Sequence, residues 1–108
     1  MKTKLRNTIY VLYSRERKRQ NKKWGVQNHP IFDLANLQRN KNLCKSYRDS
    51  YEEAAKEGTT TWEDILLEEV WEALSEESPY KQREELIQVG AVVTAMIECI
   101  DRRIGREE

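Results

Sequence analysis

At 108 residues the chain suffices for one domain, residues 1–108, burying about two thirds of the surface its unfolded form exposes. Charged residues make up 35% of it, above the roughly 25% usual for globular proteins, and no run approaches the ~18–20 apolar residues that span a bilayer. Two cysteines, one histidine and no apolar leader argue against a disulfide scaffold, a zinc site and a membrane role, so the expectation is a cytoplasmic protein with reduced Cys44 and Cys99.

The chain reads as four helices and no strand. The first is predicted over Lys4–Lys23, with Leu5, Ile9, Leu12 and Tyr13 as its apolar side, although the β-branched and aromatic run at 9–13 also suits a strand. Residues 1–23 carry nine Lys or Arg against Glu16 alone. Gly25 suits a C-terminal cap, and His29-Pro30 cannot readily continue a helix. The second helix is predicted from the N-cap candidate Asp33 to Glu57, with Leu37, Cys44, Tyr51 and Ala55 along one side and Gly58 ending it. Thr61 and Asp64 have the spacing of a reciprocal capping arrangement, opening a third helix over Trp62–Glu77. Ser78-Pro79 separates it from a fourth over Tyr80–Ile104, followed by a charged tail with Gly105.

The third and fourth helices carry carboxylates where a core face should be apolar. At about 100° per residue, Trp62, Ile65, Leu66, Val70 and Ala73 form a stripe, and Glu69 and Glu72 fall inside or beside it. On the fourth helix Glu85 lies in line with Val89, Val92, Val93, Met96 and Ile100, with Gln88 at the border. Ionised carboxylates on a core face are costly unless a cation compensates them. For a single glutamate, an interhelical ion pair with Lys or Arg would be the simpler account. Two inward pairs at i, i+3 instead predict a divalent ion between helices; oxygen ligands without His or Cys suit Mg²⁺, with Mn²⁺ as a substitute. A ferritin-like di-iron site would need Glu-x-x-His pairs, which these helices lack.

Glu68-Glu69-Val70-Trp71-Glu72 followed by Glu84-Glu85-Leu86-Ile87-Gln88 resembles the E-E-x-x-E … E-x-x-D signature of the MazG-like all-α nucleoside triphosphate pyrophosphohydrolases. That superfamily includes the dimeric deoxyuridine triphosphatases and the deoxycytidine triphosphate pyrophosphatases. Thr61–Leu67 and Lys23–Pro30 extend the resemblance, which covers roughly residues 15–103. It implies an all-α, four-helix antiparallel bundle assembled into a homodimer or homotetramer. The implied activity is Mg²⁺-dependent hydrolysis of a (deoxy)nucleoside triphosphate, or a related nucleotide, to monophosphate and pyrophosphate. Carried over by motif position, the metal ligands are Glu69, Glu72, Glu85 and Gln88, the last where the family usually has Asp. Glu68 is then a water-orienting carboxylate, completing a catalytic set of Glu68, Glu69, Glu72 and Glu85.

Further candidates for substrate contact are Lys23, Trp24, Asn28 and His29 before the second helix and Arg102 and Arg103 at the end of the fourth. A second apolar side on the third helix (Leu67, Trp71 and Leu74) favours an oligomer, because four short helices rarely cover both sides of one member. Glu63, Glu76 and Glu77 read as solvated surface. Two other functions stay open: a non-hydrolytic nucleotide-binding or regulatory protein whose site is weakened at Gln88, and a nucleic-acid-binding module using the basic first helix. The latter lacks interleaved aromatics and a reader motif.

Overall fold

The computed structural model describes residues 2–105 and, among them, is all-α without a strand. The charged tail expected after Gly105 lies outside the described residues. Four helices run in order: α1 (Lys2–Trp24), α2 (Leu37–Glu57), α3 (Trp62–Leu74) and α4 (Pro79–Arg103), with a 3-10 turn at Leu34–Asn36 before α2. The chain divides into two compact units, one of residues 1–29 and 94–108 and one of residues 30–93, and α4 contributes to both.

The first unit pairs α1 with the C-terminal part of α4. No Gly or Pro interrupts α1, and the run at 9–13 that also suits a strand is helical throughout. Leu5 and Ile9 are buried, Ile9 to 2% exposure, whereas Tyr10, Val11 and Leu12 remain about half exposed. Leu12 is therefore not part of this unit's core. Gly25 adopts φ 68° and donates its N–H to Asn21 O at 2.7 Å, a left-handed cap that a β-carbon would strain. Tyr13 Oη lies 3.0 Å from Thr94 Oγ1, and Arg6 Nη2 donates to both oxygens of Glu98 at 3.2 and 3.3 Å. The falling register from 6–98 to 13–94 makes the pair antiparallel. Its buried α4 positions are thus polar, Thr94 and Glu98, while Ile100 of the expected apolar stripe is exposed.

The second unit packs α2, α3 and the start of α4. Contacts between Asn40 and Leu74, Tyr47 and Trp71, and Arg48 and Glu72 set α2 antiparallel to α3. Asp33 caps the 3-10 turn through Ala35 N at 2.9 Å, so the α-helix proper begins four residues later. At the other end of α2, Gly58 (φ 71°) donates to Ala55 O and Thr59 N to Ala54 O, the two bonds of a Schellman cap. The Thr61–Asp64 capping box is formed, with Asp64 N on Thr61 Oγ1 at 3.2 Å and Thr61 N on Asp64 Oδ2 at 3.0 Å.

Helix α3 ends at Leu74, three residues before the predicted end. Side-chain amides take over its terminal carbonyls: Asn40 Nδ2 donates to Leu74 O and the buried Gln82 Nε2 to Ala73 O, each at 3.1 Å. Leu74 O thus takes its donor from α2, while Ala73 O, which also accepts from Glu76 N at 3.3 Å, gains a second donor from α4. Pro79, whose missing N–H costs nothing in the first turn, opens α4, and Ser78 O accepts from Gln82 N at 2.8 Å.

Candidate functional site

Capping fixes where α3 starts, and the amides of Asn40 and Gln82 fix where it stops. Between them the one-turn spacing of Glu69 and Glu72 presents both carboxylates towards α4. The short link through Ser78-Pro79 brings Glu85 back beside them. One carboxylate oxygen from each of Glu69, Glu72 and Glu85 lies within 4.8 Å of the other two. Glu69 Oε2 and Glu85 Oε2 are buried with no hydrogen-bond partner.

The electrostatics follow from that crowding. Burial pushes the Glu69 carboxyl above its ordinary value, and the charge of Glu72 adds to the shift. Glu85 is raised first by burial, then by the charges of Glu72, Glu69 and Glu76 and by a hydrogen bond with Glu72. Glu68 is raised by burial and then by Glu72, with Arg48 pulling the other way. Oxygen atoms that are buried, unpartnered and mutually repelling are short of positive charge. A hard divalent cation fits this donor set, because two of the oxygens it would bind, Glu69 Oε2 and Glu85 Oε2, have no protein donor.

A cavity of about 300 Å³ beside the carboxylates is lined by Cys44, Arg48, Glu72, Ser75, Glu76 and Glu85. Among the described residues Arg48 is the only cation in this lining; its Nη2 lies 3.4 Å from Glu72 Oε1 and 3.5 Å from Cys44 Sγ. The ion-pair account of inward glutamates therefore applies to Glu72 alone: among the described residues, neither Glu69 nor Glu85 has such a pair.

Of the candidates from sequence, the structure unites Glu69, Glu72 and Glu85, and the charge of Glu72 also reaches Glu68. Gln88 is exposed, one turn beyond Glu85, and does not line the cavity. Lys23, Trp24, Asn28, His29, Arg102 and Arg103 belong to the other unit and are exposed. There Lys23 Nζ lies 4.8 Å from the centre of the Trp24 ring, and Gln27 Nε2 lies 3.2 Å from His29 Nε2. Glu76 is half-buried against the cavity and so is not solvated surface, whereas Glu77 is exposed as expected, in a surface ion pair with Lys41 at 2.9 Å. The reading of the sequence missed Cys44 and Arg48 as site residues. Their i, i+4 spacing on α2 places them on one face, but nothing in the spacing says which helix that face meets.

Comparison with known proteins adds no relative: no family model, no curated protein and no solved structure matches this chain. No described helix is long and apolar enough to cross a membrane.

Proposed function

We propose that this chain is a cytoplasmic, Mg²⁺-dependent nucleotide pyrophosphohydrolase of the MazG-like kind. It would convert a (deoxy)nucleoside triphosphate or related nucleotide to monophosphate and pyrophosphate. The observation that carries the proposal is the convergence of Glu69, Glu72 and Glu85 from two helices, with two of their oxygens buried and unpartnered. The E-E-x-x-E … E-x-x-Q pattern of residues 68–88 supplies the nucleotide part of the reading. When bound, a divalent ion supplies phosphate charge neutralisation and a more acidic water. Glu69, Glu72 and Glu85 would hold the cation, and Glu68, beside Glu72, would orient the attacking water.

The test is pyrophosphate release across a panel of ribo- and deoxyribonucleoside triphosphates, with Mg²⁺ and with EDTA. The proposal expects release from at least one nucleotide in Mg²⁺ alone, abolished in E69A. Release from none, with no binding of Mn²⁺, overturns it. The exposed, neutral Gln88 supports a second reading, a non-hydrolytic nucleotide-binding protein, for which the same panel yields metal-dependent binding without pyrophosphate.

A homodimer or homotetramer is part of the proposal. Trp71 no longer argues for it, since its ring stacks on Tyr47 within the chain, with centroids 6.3 Å apart and planes at 7°. The support comes instead from Leu86 and Ile87, half exposed on α4. Sedimentation of the full chain at micromolar concentration decides it, a monomer contradicting the assembly.

A further inference from the structure

We propose that Arg48 is a phosphate-binding residue of the acidic cavity, released for that role when Glu72 turns from it to a cation. The inference rests on the metal-dependent nucleotide reading above and adds a residue to its site.

A substrate carrying several phosphate charges cannot approach four carboxylates unless cations outweigh them. A single divalent ion leaves Glu68, Glu69, Glu72 and Glu85 only half neutralised, so a further positive group must face the ligand. Among the described residues, Arg48 is the one cation lining the cavity. The other basic residues on the same face of α2 are engaged more closely elsewhere: Lys41 with Glu77 at 2.9 Å and Lys45 with Asp49 at 3.2 Å.

The present partners of Arg48 are weak ones. Its 3.4 Å approach to Glu72 exceeds the roughly 2.7–2.9 Å of a strong charge-assisted bond, and the thiol of Cys44 at 3.5 Å is a poor acceptor. The side chain is 48% exposed, so part of the guanidinium fork already faces water and can turn to a ligand. Its backbone, by contrast, is well placed. The neighbouring Tyr47 is stacked on Trp71, and α2 is tied to α3 at Asn40.

Arg48 and a divalent ion held at Glu72 would draw on one carboxylate, whose Oε1 Arg48 approaches at 3.4 Å, and their like charges would repel across it. Occupation of the carboxylates by the ion frees Arg48, and a planar five-donor fork matches a phosphate bidentately. The arginine thereby links phosphate capture to metal loading, since it is freed only in a chain that has taken up the ion.

The experiment measures two affinities by calorimetry on the full chain, wild type, R48M and R48K: Mn²⁺ alone, then inorganic triphosphate with Mn²⁺ in excess. The expected result is that R48M binds Mn²⁺ as tightly as wild type or several-fold tighter, because a competitor is gone. Its triphosphate dissociation constant rises at least tenfold. R48K, which keeps the charge without the fork, falls between. Triphosphate binding unchanged in R48M overturns the inference, and so does a wild-type chain that takes Mn²⁺ but no triphosphate. Equal losses of Mn²⁺ and triphosphate in R48M also overturn it, because Arg48 then only positions Glu72. A wild-type chain that binds no Mn²⁺ removes the metal reading itself and this inference with it.

Discussion

Glu69 on α3 and Glu85 on α4 each bury an Oε2 that no donor reaches, and the two carboxylates approach within 4.8 Å of each other. Like charges so placed destabilise the metal-free fold and favour a cation, so the two effects should separate on mutation. We expect E69Q and E85Q each to raise the melting temperature in EDTA by a few degrees, through removal of one repelling charge. Both should weaken Mn²⁺ binding at least tenfold. Thermal denaturation with and without Mn²⁺ checks both signs, and a lowered melting temperature in EDTA would contradict the electrostatic account.

The same crowding sets a pH dependence. The carboxyls of Glu68, Glu69 and Glu85 are raised in the fold above the ordinary 4.5, so the folded chain holds these protons more tightly than the unfolded one. Their contribution to stability is therefore full below pH 4.5 and is lost as pH rises through the raised values. Glu16, hydrogen-bonded to Arg19, shifts in the opposite direction, so whole-protein melting mixes the two. The difference in melting temperature between wild type and the E69Q/E85Q double variant isolates the cluster. In EDTA wild type should fall behind the variant as pH increases. Saturating Mn²⁺ should stabilise wild type more at about pH 7.5 than at about pH 5, because it binds the charged forms.

Gln88 lies one helical turn after Glu85 and is exposed. Replacement by Asp brings a charge to about 5–6 Å from Glu85 at the β-carbons, within range of a cation held there. Solvent screens an exposed charge, so the expected gain in Mg²⁺ affinity is a few-fold to about tenfold rather than the several kcal/mol of a buried pair. Turnover should saturate at lower Mg²⁺, while its maximal rate need not rise, since tighter ground-state binding does not lower the chemical barrier. A Mg²⁺ titration of Q88D unchanged from wild type would mean that Gln88 does not face the ion.

Gln82 holds the end of α3 through Ala73 O from a buried position. Gln82→Leu removes one donor to that carbonyl, leaving Glu76 N at 3.3 Å, and should cost about 1 kcal/mol by urea denaturation. Thr61→Ala, at the other end of the helix, should cost about 1 kcal/mol through loss of the capping box. Neither side chain lines the cavity, so a Gln82 variant that still folds should lose Mn²⁺ affinity only if the stop of α3 positions Glu72.

Helix content was legible in the sequence because it depends on local chemistry. An uninterrupted α1, the glycines after α1 and α2, the Thr61–Asp64 pair and Ser78-Pro79 each act within a few residues of themselves. The inward set of Glu69, Glu72 and Glu85 was legible for a related reason: a 3.6-residue period places carboxylates on a core stripe before any partner is known. What lies opposite a stripe depends on residues far apart in the chain. Only the tertiary structure stacks Tyr47 on Trp71, ends α3 beside the amides of Asn40 and Gln82, and buries the polar Thr94 and Glu98 beside the expected apolar stripe of α4. It alone brings Arg48 and Cys44 to the carboxylates, across 24 residues in the case of Arg48 and Glu72. Periodicity names the face of a helix, whereas the packing of one helix on the next chooses the residues that share a site.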